Sequence, residues 1–464
     1  MTLKLAARLG AVKPSAVFAM AAEAAALRAQ GRDVIDLSAG EPDFDTPEHV
    51  KAAAREALAR GLTKYTPIGG TDVLKDAVVV KLQRDNGLAY GRTEIMASCG
   101  GKHSLFNAFQ ALFDPGDEVV LPAPYWVSYF DMLVLAGAVP RVVETSVASG
   151  FKMSPAQFEA AIGPRTVAVI VNSPSNPTGA AYDAEELRAL GRVALQRRLL
   201  VISDDIYERL TARPVPHLGT LVPELRPRLV IVNSVSKSYA MTGWRIGYTA
   251  GPPELIRAMT TLQSQSTSNP SSIAQAGAAA ALSGPQDCVV AMAEEFERRR
   301  RLVVERFGAI ADLRTATPTG AFYVFPDVSA FFGRRGPDGP VRTASEVRPV
   351  ELRRGGLLQG AIDRRDGESE DDRVRVAPSL RGEACLLAQC REQRRAIPPL
   401  ASGHLREQDA PVRAETDGGT VANGLELVGR DGQGGGENRD LDLELRKLVG
   451  VYRKEAWIPG CGCR

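Results

Sequence analysis

The sequence predicts an α/β fold: a mostly parallel central sheet covered by helices on both faces, followed by a smaller second domain. Three observations predict it. Uninterrupted apolar runs such as TVAVIVN, RLLVIS and RLVIVN alternate with helical segments, the pattern of strands buried on both faces. Polar groups with chemistry to offer stand where those runs end. NSPSNPTG follows the first, Asp204 closes the second and Lys237 lies just past the third. Binding groups in such sheets gather at strand carboxyl ends. After about Ala291 the alternation gives way to a long basic amphipathic helix, EEFERRRRLVVERF, and an alternating strand, GAFYVFPDV.

The elements follow in order. The alanine-rich start, MTLKLAARLGAVKPSAVFAMAAEAAALRAQG, reads as a helix that packs on a larger domain; Lys13 and Glu23 break its apolar run. TPEHVKAAAREALARG starts a helix at Thr46, with Pro47 in the first helical position, and stops it at Gly61. Gly100 and Gly101 precede KHSLFNAFQALF, a helical pattern ending in the turn DPGD, and DEVVLPAP is a short strand. SPAQFEAAIG carries a capping box, Ser154 with Gln157, before the strand TVAVIVN. DAEELRALGRVALQRR repeats the box with Asp183 and Glu186 and leads to RLLVISDD. RLVIVN and GYTAG are the next strands.

Composition narrows the function classes. A chain of 464 residues holds material for two or three domains. A net charge of +2 argues against a dedicated nucleic-acid binder. The cysteines (Cys99, Cys288, Cys385, Cys390, Cys461 and Cys463) are too scattered for a disulfide scaffold, and the four histidines are too far apart to propose a metal site. Neither a secretory signal nor an 18-residue membrane span is read in the sequence, so no membrane partner is expected and the cytoplasm is the expected location. Between Val341 and Arg464 there are 19 arginines, no phenylalanine and no methionine, too little apolar bulk to expect a good core.

Lys237 carries the sharpest chemical signal. An amine desolvated near other cations loses proton affinity and attacks an aldehyde. Arg245 lies eight residues on, in SVSKSYAMTGWRIG. Ser234 and Ser236 alternate with Val235, so an extended stretch would turn both hydroxyls one way, toward Arg245, as a phosphate cradle. The bland alternative is a lysine in solvent. Asp204 ends a buried strand, where a carboxylate needs a partner. It caps a turn, or it holds the ring nitrogen of a pyridine cofactor; Asp205 points elsewhere. The amides that open a helix after Gly100 and Gly101 attract a phosphate. Tyr125, Trp126 and Tyr129 read as core or as a stack over a ring. Asn176 closes an Asx turn or donates to a phenolate or carboxylate.

Taken together, DLSAGEPDFDTPEHV, TKYTPIGG, GGKHSLFN, PYWVSY, VNSPSNPTG, SDDIYE, SVSKSYAMTGWRIGY and PTGAFYVF resemble the class I/II, fold-type I aminotransferases that use pyridoxal 5'-phosphate, and most of all the bacterial aspartate aminotransferases of subclass Ib. The likeness covers roughly residues 1 to 335. It implies a small α+β domain built from both chain ends (1–45 and 291–345) around a large cofactor-binding domain (46–290). It implies that Lys237 bonds covalently to the cofactor and that Asp204 faces the pyridine nitrogen. Tyr207 and Asn176 match the pair on the ring's phenolic oxygen, and Trp126 the aromatic packed over the ring. Ser234, Ser236, Arg245 and the amides of Gly101 and Lys102 match the phosphate cup. Tyr65 matches a tyrosine that reaches the neighbouring subunit's phosphate, which implies a homodimer with shared sites. Gly40 matches a backbone position near the substrate carboxylate, and Lys102 a group that binds a distal carboxylate.

The expected reaction is L-aspartate with 2-oxoglutarate giving oxaloacetate and L-glutamate, with an amino acid and a 2-oxo acid as the small-molecule partners. The alternatives are a prephenate or aromatic aminotransferase, a lyase on the same fold, and a cofactor-binding protein impaired in catalysis. The family's segment of the VRLSYA kind, whose arginine clamps the substrate α-carboxylate, has no counterpart beyond VRVAPSL with Arg375. The likeness ends near Ser345. Residues 346–464 form an atypical Arg/Gly-rich tail, expected to be poorly ordered or to reflect a disrupted reading frame.

Overall fold

The computed structural model describes residues 3–12, 16–31, 33–36 and 40–333, with the strand segments 335–336, 339–340, 357–358 and 361–364. Helix α1 (Ala16–Ala29) leads to β1 (Asp33–Asp36), which pairs antiparallel with residues 361–364; residues 357–358 pair with that segment in turn. The rest of the Arg/Gly-rich tail, Arg375 included, lies outside the described residues.

The main sheet has seven strands: β2 (Ile95–Ser98), β3 (Glu118–Ala123), β4 (Val139–Glu144), β5 (Thr166–Asn172), β6 (Leu200–Asp204), β7 (Leu229–Ser234) and β8 (Gly247–Ala250). Their spatial order is β2-β8-β7-β6-β5-β3-β4. All neighbours run parallel except β8, which is antiparallel to both β2 and β7. The apolar runs are continuous because both faces are covered. Val120, Val169, Val171, Val201, Leu229 and Ile231 pack into one cluster. Val119, Leu121, Ala168, Ile170, Ile202, Val230 and Val232, at the alternate positions, pack into another.

Helices α2 (Glu48–Ala59), α3 (Asp72–Asn86), α7 (Ala184–Gln196) and α11 (Ser272–Ser283) contribute to the first cluster. Helices α4 (Gly101–Leu112), α5 (Val127–Leu135) and α10 (Pro253–Ser264) contribute to the second. The short helices α6 (Pro155–Ala161), α8 (Leu218–Leu221) and α9 (Val235–Ser238) and the long α12 (Asp287–Gly308) complete the set. Both capping boxes form as read, Ser154 with Gln157 and Asp183 with Glu186.

Several local readings are corrected. Helix α2 starts at Glu48, with Pro47 rather than Thr46 at its cap. The Thr46 hydroxyl instead donates to the Ala240 carbonyl at 2.8 Å and accepts from the Trp244 indole at 3.0 Å, tying the helix to the loop after Lys237. Strands β2 and β4 carry no strand signal in the sequence. IMAS is too short to show a period, and VPRVVE mixes exposed and buried positions at the sheet edge. Ser234 and Ser236 do not share an extended stretch: Ser234 ends β7 and caps α9, accepting from the Ser236 amide at 3.1 Å. Helix α12 begins at Asp287, before the basic run.

GAFYVFPDV is strand only at Pro326–Asp327, which pairs with Arg314–Thr315. Its first half is held as a loop. The Thr319 and Gly320 amides both donate to the Gly179 carbonyl at 2.9 Å, and Ala321 has φ of 55°. Gly179 has φ of 67°, and a Cβ there would lie 2.5 Å from Pro318 and 2.7 Å from the Tyr323 carbonyl oxygen, so a glycine is required where the two loops touch.

Candidate active site

The site gathers at the carboxyl ends of β5, β6 and β7 and at the start of α4. Helix α4 opens at Gly101 after Gly100, whose φ is 91°. A Cβ on Gly100 would sit 2.3 Å from one guanidinium nitrogen of Arg245, so the bare backbone makes room for that cation. Arg245 itself adopts φ of 57° and donates to the Thr242 carbonyl at 2.9 Å. The first amides of α4 have no intrahelical acceptors. With Arg245 beside them, and with Ser234 3.6 Å from the place of a Gly101 Cβ, they form an anion cradle. The donor set suits a phosphate, and the missing Cβ at Gly100 keeps it open.

Lys237 lies in α9, one turn past β7. Its amine donates to the Gly40 carbonyl and stands 5.9 Å from the centre of the Phe322 ring. Burial lowers its pKa to about 8; Glu41 opposes the shift, and Arg245 and Lys102 add to it. About a tenth of the amine is therefore neutral at pH 7, far more than for a lysine in solvent, and the neutral form is the one a nucleophile requires.

Asp204 closes β6 with its carboxyl buried. Burial raises its pKa to about 6, opposed by a hydrogen bond from the Tyr129 hydroxyl at 2.5 Å. Asp205 does point elsewhere. It accepts from Ser203 at 2.6 Å and pairs with His217 Nε2 at 2.9 Å.

The NSPSNPTG loop is anchored to the same strand end. Asn172 Nδ2 donates to the Asp204 carbonyl at 2.8 Å, and Asn172 Oδ1 accepts from the Asn176 amide at 2.7 Å. Asn176 Nδ2 then reaches the Tyr207 hydroxyl at 3.5 Å and the Tyr323 hydroxyl at 3.2 Å, and the two phenols are 2.7 Å apart. A Cβ on Gly40 would lie 2.6 Å from the Tyr323 hydroxyl. Trp126 caps α5 and meets Tyr129 edge-on at 5.3 Å. The Lys102 amine lies 4.9 Å over the Trp126 ring. Burial and the Arg245 charge lower the Lys102 pKa, and the Asp131 carboxylate opposes them.

The sequence-derived residues Gly40, Gly101, Lys102, Trp126, Asn176, Asp204, Tyr207, Ser234, Lys237 and Arg245 thus come together within one chain, and Ser236 precedes Lys237 in α9 with its amide bonded to Ser234. Tyr65 does not join them; it is 92% exposed. Tyr129, Asn172 and Tyr323 are added by the structure. Tyr323 stands within PTGAFYVF, but its role depends on the loop that replaces the expected strand.

A family model described as aminotransferase class I and II matches residues 32–346. The chain belongs to the class I and II aminotransferases. It is 49% identical over 355 residues to the aspartate aminotransferase of Geobacillus stearothermophilus, covering 75% of this chain and 90% of that one. It is 50% identical over 342 residues to the aspartate/prephenate aminotransferase of Cereibacter sphaeroides, covering 73% and 86%. Among solved structures, aspartate aminotransferase from Thermus thermophilus with maleate superposes with a TM-score of 0.68 at 46% identity, covering 71% and 86%. The aminotransferase uses pyridoxal 5'-phosphate, and the residues present fit it. The α4 cradle suits its phosphate, the buried Asp204 its ring nitrogen, the Asn176 and Tyr207 donors its phenolic oxygen, and the Lys237 amine its aldehyde. Among the described residues no helix is long and apolar enough to cross a membrane.

Proposed function

We propose that this aminotransferase moves the amino group of L-aspartate to 2-oxoglutarate, releasing oxaloacetate and L-glutamate. The observation that carries the choice of substrate is Lys102. Its amine stands over Trp126 at the start of α4, with Arg245 repelling its charge and Asp131 favouring it. A second carboxylate on the substrate would make a direct charge-assisted contact with it. When bound, the cofactor supplies an electron sink for charge that develops at the substrate Cα. Lys237 Nζ takes the Cα proton as a base and returns a proton as an acid, a role its lowered pKa suits. Asp204 holds the ring nitrogen through a charge-assisted hydrogen bond, Tyr207 and Asn176 fix the phenolic oxygen, and Trp126 covers the ring. Ser234, Ser236, Arg245 and the Gly101 and Lys102 amides bind the phosphate. The Gly40 backbone and Asn176 lie against the substrate's α-carboxylate.

The exposed Tyr65 supports a homodimer in which each Tyr65 completes the partner's phosphate site. The division of labour is a cofactor-holding domain (46–290) and a smaller domain from both ends (1–45 and 291–345), in the cytoplasm. A second reading, amino transfer to prephenate, has the support of the Cereibacter sphaeroides relative, and prephenate also carries a second carboxylate.

The test mixes the full-length, cofactor-loaded chain with L-aspartate alone. One equivalent of oxaloacetate per bound cofactor is expected, followed by one of glutamate when 2-oxoglutarate is added. No oxaloacetate, with fast amino transfer to prephenate from glutamate, selects the second reading. Bound cofactor with no oxo acid from any donor makes the chain a binding protein only.

A further inference from the structure

Asp204 has two donors among the described residues. The Tyr129 hydroxyl bonds Oδ2 at 2.5 Å, and the Ile206 amide makes a long contact to Oδ1 at 3.3 Å. A charged carboxylate offers about four acceptor positions, so Oδ1 is left under-used in a buried place. The phenol is itself well aimed. Tyr129 is 2% exposed, and its ring stands at 88° to Trp126, one turn earlier in the chain. We propose that Tyr129 is a positioning residue for the cofactor: its hydroxyl, given to Asp204 Oδ2, keeps that carboxylate charged and leaves Oδ1 turned to the ring nitrogen. The proposal rests on the reading that Asp204 faces that nitrogen.

The electrostatics agree with the geometry. Burial raises the Asp204 pKa, the Tyr129 bond lowers it, and Asp205 on the same strand end raises it. Asp205 is already occupied by Ser203 and His217. Tyr207, after β6, acts on Tyr129. Tyr129 is thus the one side chain that holds Asp204 in its charged form among the described residues. Loss of a donor to the charged form must raise the carboxyl's proton affinity.

The test titrates the full-length chain, stripped of cofactor, with pyridoxal 5'-phosphate between pH 6 and 9, comparing the parent with Tyr129→Phe and Asp204→Ala. Tyr129→Phe keeps the ring packing and loses only the hydroxyl. With the Asp204 carboxyl at about 6 in the parent, a midpoint shift of about one unit is expected to weaken its affinity about fivefold at pH 6 and about twofold at pH 7, with recovery to the parent's by pH 9. Asp204→Ala is expected to bind weakly at every pH. A Tyr129→Phe profile parallel to the parent's, or weakened equally at every pH, overturns the proposal. Parent-like binding by Asp204→Ala instead overturns the ring-nitrogen reading itself. A second measurement needs no change at Tyr129: in fluorotyrosine-labelled parent, the resonance that moves in Asp204→Ala should titrate with the carboxyl. A pH-invariant resonance sinks the bond.

Discussion

The cradle at the start of α4 and the floor at the end of β6 solve opposite electrostatic problems at the same edge of one sheet. The cradle collects positive charge near solvent. Arg245 is exposed, Lys102 lies over Trp126, and the unmatched helix amides add their partial charges. Nothing there needs a buried partner, so glycine's small size does most of the shaping. The floor buries a negative charge, which burial alone would neutralise. There a neighbouring phenol has to hold the charged form. An anion site can be assembled from backbone and solvent-shared cations, whereas a buried carboxylate needs a dedicated donor. Lys237 lies between the two, its proton affinity lowered by burial first and by the cations of the cradle second.

The largest effect is expected at that junction. Lys237→Ala should lose the borohydride-fixable attachment of the cofactor and reduce turnover by about 10²–10⁴ or more, as for the loss of a general base. Peptide mapping of the reduced protein checks the attachment, and a label on another lysine would refute the assignment. In the parent, the amine is mostly protonated below its pKa of about 8 and neutral above it. Cofactor attachment should therefore speed up about tenfold per pH unit up to roughly pH 8 and then level off, as read by stopped-flow absorbance.

The floor comes next. Asp204→Ala should reduce the rate of the aspartate half-reaction by about 10²–10³, the scale for removing one preorganised electrostatic group. Asp205→Ala should leave that rate nearly unchanged and instead destabilise the fold by about 1–3 kcal/mol, because His217 and Ser203 lose their partner. Denaturant melts and single-turnover kinetics separate the two, and equal kinetic defects would erase the contrast between the neighbours.

In the cradle, Lys102→Ala should reduce the preference for aspartate over alanine by about 1.5–3 kcal/mol, the value of one charge-assisted contact. An unchanged ratio in the first half-reaction moves the distal carboxylate to another residue. The smallest effect is expected for Gly100→Ala. Its φ of 91° strains any residue with a Cβ, by about 1–3 kcal/mol, and that Cβ pushes on Arg245, so cofactor affinity should fall with folding intact. Normal affinity would show that the guanidinium can move aside at no cost.

The sequence by itself determined the fold class, five of the seven main strands and part of the helical cover, but not α3, α5, α10 and α11. Strands buried on both faces must be apolar throughout, so TVAVIVN and RLVIVN were legible without a partner, and the residues just past them had to lie at strand ends. Capping boxes are local and formed as read. Three things were decided only in three dimensions. Strands β2 and β4 are short or lie at the sheet edge, where periodicity carries little signal. GAFYVFPDV alternates like a strand, yet bonds to Gly179 and Arg300 hold its start as the loop that delivers Tyr323 to Tyr207. Tyr129 reads as a core aromatic or as part of a stack over a ring, and its bond to Asp204 is not legible, because 75 residues separate the two and no local pattern links a helix position to a distant strand end. A buried charge is stabilised by whichever donor the fold brings to it, and that choice belongs to packing between elements rather than to any one segment.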